Sequence, residues 1–320
     1  MTTLHRIDVH HHPSPPSYIA ARDTRNRFAT PQLEWTVAKS LEDMEKGAVA
    51  TSILSLPHPP SIWPDDIQEG RRLAREWNEY MTRMARDYPG RFGVFATLPI
   101  LDIEGSLREI DYALDTLKAD GINLMTNIGD KWLGDAHYAP AFEELERRRA
   151  VVYTHPLAPD CCRNILAEVN DAIIEYGTDT TRAIAKLLFS GSATRYPGIR
   201  FIFSHAGGTM PFLAERFLRA HMGNAGNLKA KVPKGVLHEL QKLHYDTAQA
   251  SNPFAMGALT KLVPVSQILF GTDFPYRSAE DHVRGLAGCG FSAGEIKAID
   301  RENAERLMPR WAAQARGERP

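Results

Sequence analysis

Eight short apolar runs, each followed by a helical stretch, constrain this chain more than any other feature. The runs are 6–12, 49–56, 92–98, 121–126, 150–156, 200–205, 243–248 and 267–273. Each has the length and β-branched or aromatic content of a strand. Helical periodicity falls at 39–47, 65–88, 103–118, 138–149, much of 165–195, 211–222, 234–241 and 253–262, with further helices at 279–287 and 292–313. Strands that alternate with helices pair in parallel, because a parallel crossover needs a helix-sized connection. Eight such units predict an α/β fold closed into a (β/α)8 TIM-type barrel. An open doubly wound sheet is the competitor, but no Gly-rich fingerprint follows the first strand. The expected departures are a long loop insertion at 13–35 after the first strand and extra helices at the C-terminus. Residues 1–320 read as one domain, since no linker or low-complexity tract divides them.

The composition excludes several partners. The net charge is −1, which gives no bulk attraction to nucleic acid or to an anionic membrane. No apolar run approaches the roughly 18 residues of a membrane span. Met1-Thr2-Thr3-Leu4-His5-Arg6 runs into the first strand with no leader pattern. The three cysteines, two of them adjacent at Cys161 and Cys162, do not make a disulfide framework. They read as free thiols in a reducing, cytoplasmic setting.

In a β/α barrel the chemistry sits at the C-terminal strand ends. The first strand, Arg6-Ile7-Asp8-Val9-His10-His11-His12-Pro13, alternates apolar and polar residues and stops at a proline. At a period of two, His10 and His12 share a face and His11 takes the other. A histidine triplet alone is explained by a solvated turn or a tag. Here, however, the fifth strand ends in His155, the sixth in His205 and the eighth in Asp273. Asp273 alone would be a helix cap, and each histidine alone a buried ring bonded to a carbonyl. A barrel brings all five to one mouth. Three imidazoles and one carboxylate suit one divalent ion, Zn²⁺ first and Mn²⁺ second, with a position open to substrate. That leaves one histidine. His205, beside Gly207-Gly208, is the one placed to act as acid or base.

These residues carry a resemblance. Asp8-Val9-His10-His11-His12-Pro13, Thr154-His155-Pro156, Ser204-His205-Ala206-Gly207-Gly208 and Gly271-Thr272-Asp273-Phe274-Pro275 resemble the motifs of the amidohydrolase superfamily. Within it they look like the branch of aminocarboxymuconate-semialdehyde decarboxylase and related aromatic-acid decarboxylases. Residues 91–99, Asp130-Lys131-Trp132-Leu133-Gly134-Asp135 and 179–184 are most similar to 6-methylsalicylate decarboxylase-like members. The resemblance implies that His10, His12, His155 and Asp273 hold the metal and that His205 is the catalytic histidine; for the proton step, Asp273 is the candidate relay to His205. It also implies that Arg216 reaches into a neighbouring subunit to bind a substrate carboxylate, so the chain should be a homodimer or larger. Met125-Thr126-Asn127 stands where binuclear relatives carry a carboxylated lysine, which fits a single metal.

Among the remaining residues, Trp63, Trp132 and Tyr276 fall in loops at the mouth and are candidates to contact an aromatic ring. Packing of those loops against the barrel rim is an equal alternative. Lys131 and Arg277 read as solvated or ion-paired, and His58 as part of a rigid Pro-His-Pro loop. His244 begins a strand and so lies at the wrong end. Asp246, inside the seventh strand, is a candidate partner for a ligand histidine. The expected activity is metal-dependent, non-oxidative decarboxylation of a small hydroxybenzoate-type acid. A lactone or amide hydrolase on the same ligands is the alternative.

Overall fold

The computed structural model describes residues 4–23, 30–58, 66–220 and 228–315. Eight parallel strands follow one another in chain order: β1 (Arg6–His11), β2 (Val49–Leu54), β3 (Phe92–Thr97), β4 (Gly121–Met125), then β7 (Val151–His155), β8 (Arg200–Phe203), β9 (His244–Asp246) and β10 (Ile268–Leu269). Between β4 and β7 lies a small antiparallel hairpin, β5 (Asn127–Ile128) with β6 (Lys131–Trp132). The barrel closes between β10 and β1. There Val9 N–H donates to Phe270 O (3.0 Å), Asp273 N–H to His10 O (2.8 Å) and His12 N–H to Phe274 O (2.8 Å).

Strand alternation separates two apolar layers. Ile7, Val9, Ile53, Phe95, Val151, Tyr153, Ile202 and Leu269 fill the barrel interior. Their neighbours, among them Leu54, Val94, Ala96, Val152, Phe201 and Phe203, turn outward to the helices. Ala304, Leu307, Met308 and Trp311 from the C-terminal helices join the interior cluster. Burying each large side chain contributes about 1.5–3 kcal/mol. The interior is therefore a packed core, and ligand space exists only at the other, C-terminal face.

Four segments differ from the sequence reading. The expected loop at 13–35 carries helices Pro16–Asp23 and Thr30–Leu33 among its described residues. Pro16 is pre-organised for a first helical position, and Tyr18 is fully buried edge-on against Trp77, 5.1 Å between centroids. The 165–195 helix begins only at Asp171, where the Asn170 side chain caps Ala172 N–H. The 292–313 stretch is not one helix. A π-turn at Ala298–Glu302 interrupts it, and Pro309, which has no N–H, separates Asn303–Leu307 from Arg310–Ala315.

The fourth difference matters for the site. Strict alternation fails between Val9 and His10: Val9 joins the interior cluster, yet the His10 ring lies 5.3 Å from Tyr153 of that same cluster. The cause is Asp8. Its Oδ1 accepts His10 N–H (3.0 Å), and the β1–β2 register shifts between Asp8 and His11.

Candidate metal centre and active-site cavity

The strand ends place five side chains in one cluster. Ligand atoms of His10, His12, His155 and Asp273 all lie within 4.8 Å of one another, and all four residues are buried. His10 Nε2 and His12 Nε2 are 2.9 Å apart, and each is 3.2 Å from Asp273 Oδ1. His11 turns away, bonding Asp8 and Ser40 and stacking on Phe274. His10 and His12 thus share a face, as expected.

Hydrogen bonds on the far side of each ring fix its protonation. His10 Nδ1 meets Asp246 Oδ2 at 2.8 Å, and a carboxylate only accepts, so His10 Nδ1 carries the proton. His12 Nδ1–H donates to Ser55 O at 2.8 Å. Both Nε2 atoms therefore aim lone pairs at the same point as Asp273 Oδ1. That buried oxygen accepts no hydrogen bond, and buried His155 Nδ1 has no partner either. Electron pairs converging at this distance repel unless a cation stands among them. The donor set fits a mononuclear divalent ion.

The electrostatics agree. Without an ion, burial opposes charge on His10, but Asp246 and Asp273 outweigh it and push the imidazole up to about 10, so that a proton on Nε2 then takes the cation's place. Burial lowers His12 and lowers His155 strongly. Asp273 is held well below the usual carboxylate range; burial works against this, and His10, His12 and His205 prevail. The cluster favours one positive charge and disfavours a second on His12 or His155.

His205 lies at the edge of this cluster, with its Nε2 3.4 Å from Asp273 Oδ2. Its backbone N–H donates to Asp246 Oδ1 at 2.8 Å. Asp246 thus holds His10 through one oxygen and His205 through the other. The turn 205–208 has positive φ throughout, and helix Asp171–Phe189 presses against it. A Cβ at Gly208 (φ 65°) would stand 2.0 Å from Gly177 O, so that position requires glycine.

A cavity of about 880 Å³ opens above these residues. His155, His205 and Asp273 form its floor, and Tyr276, His58, Asn170, Tyr176, Thr209 and Gln249 contribute polar groups to its lining. Ile173, Ala250 and Ala255 supply apolar surface. An apolar slot with a few convergent polar groups suits a small planar ligand.

Other expectations fare differently. Tyr276 lines the cavity; Trp63 lies outside the described residues. Trp132 does not line it, because its indole N–H donates to buried Asp179 (2.6 Å), which also accepts from Thr126 and Asn127. That bond pins the β5–β6 hairpin to helix Asp171–Phe189. Lys131 pairs with Asp130. Arg216 is exposed on helix Met210–Leu218 and does not line its own chain's cavity. His58, read as loop structure, does line it, with Nδ1 3.1 Å from Tyr18 Oη. Gln249, Asn170 and Tyr176 were not anticipated. Gln249 had a signal, since it lies just beyond the seventh strand.

The amidohydrolase family model matches residues 7–310. A decarboxylase from Aspergillus niger, yanB, is 37% identical, covering 98% of this chain and 89% of the relative. The 6-methylsalicylic acid decarboxylase of Penicillium expansum is 35% identical, covering 84% and 85%. Among solved structures, an amidohydrolase II superposes with a TM-score of 0.87 at 26% identity, covering 95% of this chain and 99% of the other. A dihydroxybenzoic acid decarboxylase from Polaromonas sp., with bound manganese and the inhibitor 2-nitroresorcinol, gives 0.81 at 19% identity, covering 97% and 98%.

Proposed function

Because the chain belongs to the amidohydrolase family, we propose that it is a metal-dependent, non-oxidative decarboxylase of a small hydroxybenzoate-type acid, with 6-methylsalicylate the first candidate. One observation carries this: a three-histidine, one-carboxylate centre on the floor of a small cavity, with a further histidine beside it. The relatives named above as decarboxylases support the reaction class over lactone or amide hydrolysis.

We assign His10, His12, His155 and Asp273 as metal ligands. A divalent ion held there would supply positive charge for a substrate carboxylate. The manganese in the Polaromonas neighbour makes Mn²⁺ as good a candidate as Zn²⁺. Expelling CO₂ directly from the ring would leave an aryl anion of high energy. His205 avoids this by donating a proton to the ring carbon that bears the carboxylate. A C–H bond forms, the C–C bond then breaks, and its electrons restore the aromatic ring as CO₂ leaves. Asp273, 3.4 Å from His205 Nε2, is the candidate relay through which a proton from solvent replaces the one left on the ring. Tyr276 forms part of the wall against which the ring packs.

We further propose a homodimer. Phe212, Phe254 and Ile173 are 86%, 90% and 74% exposed, and all three lie near the starts of helices adjoining the mouth. Such exposed apolar surface marks an interaction face. Arg216 is one turn from Phe212 on the same helix face. It has no carboxylate within ion-pair distance among the described residues. A second copy packed on this face would receive Arg216 at its own cavity. No described helix is long and apolar enough to cross a membrane. The free cysteines fit a reducing cytoplasm.

The test incubates wild type and His205→Asn with 6-methylsalicylate, salicylate and 2,6-dihydroxybenzoate, following CO₂ and phenol. The variant should keep its metal and lose about 10²–10⁴-fold in rate. Lactone hydrolysis with no aromatic decarboxylation would reject the reading.

A further inference from the structure

Among the described residues, eight non-glycine positions have positive φ. This region costs an L-residue roughly 1–2 kcal/mol and is held only where the surroundings enforce it. Three of the eight, His205 (φ 55°), Gln249 (φ 53°) and Asp273 (φ 64°), meet at a single atom, Asp273 Oδ2. Gln249 Nε2 donates to that oxygen at 3.0 Å, while His205 Nε2 stands at 3.4 Å.

The backbone around Gln249 is clamped from both sides. Ala248 N–H donates to Asp246 Oδ1 (3.0 Å), and Ala250 N–H to Thr247 O (3.0 Å). Thr247 Oγ1 accepts Gly271 N–H (3.0 Å), tying the turn to the segment that carries Asp273. Gln249 is exposed to the cavity, where a polar side chain needs no protein partner, yet its amide points down onto a buried carboxylate.

A carboxylate turns about a broad, two-fold torsion. Asp273 here has two distinct oxygens: Oδ1 faces the Nε2 atoms of His10 and His12, and Oδ2 faces His205. His10 and His12 stand 3.2 Å from Oδ1 and His205 3.4 Å from Oδ2, so the 3.0 Å bond from Gln249 is the shortest side-chain contact that tells the two oxygens apart. A directed N–H on Oδ2 fixes this division.

We propose that Gln249 is a positioning residue that holds Asp273 so that one oxygen serves the metal centre and the other stays with His205. The kinetic part of this proposal rests on the decarboxylase reading; the structural part does not. Without the amide, Asp273 turns both oxygens to the metal and His205 loses its partner.

The experiment uses the full chain loaded with Co²⁺ and compares Gln249→Met, which keeps length without a donor, with Gln249→Ala. Visible spectra are recorded without substrate, because they report coordination number independently of turnover. Both variants should retain one Co²⁺ per chain and show a weaker visible band, as an added oxygen ligand produces. In the metal-loaded enzyme kcat should fall about 10–100-fold, the range for groups that orient metal ligands, with KM little changed. Unchanged spectra in both variants overturn the proposal whatever the activity. A loss expressed in KM alone also overturns it, making Gln249 a substrate contact. If wild type decarboxylates no acid in the panel, the functional reading fails while the spectra still decide the role of Gln249.

Discussion

Asp246→Asn replaces one oxygen of a fully buried carboxylate by an amide NH₂ with almost no change in shape. In wild type Oδ1 accepts two backbone N–H groups, from His205 (2.8 Å) and Ala248 (3.0 Å). Oδ2 accepts His10 Nδ1–H (2.8 Å). The Tyr153 hydroxyl also meets Oδ2, at 3.5 Å, but an O–H can turn and accept, so the asparagine has one oxygen for three N–H donors. Keeping it at Oδ1 creates one donor–donor clash, with His10, whereas the opposite flip creates two. The amide therefore faces His10, whose Nδ1 must become the acceptor. Its proton then moves to Nε2, the atom 2.9 Å from His12 Nε2 and 3.2 Å from Asp273 Oδ1. A protonated Nε2 cannot bind a metal. Disturbing a ligand's orienting partner typically costs 10–100-fold in metal affinity, about 1.4–2.7 kcal/mol. Inverting the tautomer puts Asp246→Asn at the upper end, near 100-fold. The assay is chelator competition for Zn²⁺ and Mn²⁺ on purified wild type and variant, with circular dichroism to confirm that both fold. Wild-type affinity in a folded variant would refute the tautomer argument.

Two further outcomes are expected. Burial pushes the Asp43 carboxyl from 3.8 up to about 6, against the opposing pull of the Ala279 N–H and His11. The folded state therefore holds this proton more tightly than the unfolded chain, so stability falls as pH rises through that interval, by roughly 3 kcal/mol at most. Asp43→Asn retains an acceptor for Ala279 N–H. It should exceed wild type by about 1–3 kcal/mol in urea unfolding at pH 7.5 and match it near pH 4; an advantage of equal size at both pH values would contradict this. Arg216→Ala should keep its fold and dimer while raising KM for the acid, and a fully active monomer in sedimentation would remove the shared-site reading.

The clustering of His10, His12, His155 and Asp273 was legible because a barrel converts strand-end position into spatial proximity, and it survived an eighth strand that ends at Leu269 rather than at Asp273. Asp246 was legible for the same reason, one strand over. What escaped was whatever depends on a partner far along the chain. Trp132 sits at the mouth by strand order, but Asp179, 47 residues on, takes its indole N–H. Gln249 lies past the last residue of β9, and only its left-handed backbone aims it at Asp273. Helix Pro16–Asp23 shows no strong apolar period; Tyr18, buried against Trp77, and Ser17, which accepts the Trp77 indole N–H, anchor it.

The seam that closes the barrel is also where the metal centre is built. β10 is only two residues long, so the ladder to β1 is completed by side chains as well as by backbone. Asp8 accepts from Thr272 N–H (3.0 Å), from Thr272 Oγ1–H (2.8 Å) and from His10 N–H (3.0 Å). Asp273 N–H donates to His10 O. The bonds that join the first strand to the last therefore also set the spacing of two metal donors, His10 and Asp273. An ion held as proposed, by both strands across this seam, would stabilise the closed barrel by linkage, by about 2.7 kcal/mol at a hundredfold excess over its dissociation constant. The same coupling explains why Asp8, whose carboxylate reaches the donor cluster only through the backbone N–H of His10, is buried with every oxygen satisfied. It takes the place of the ladder bonds that β1 gives up where its register shifts and His10 turns inward.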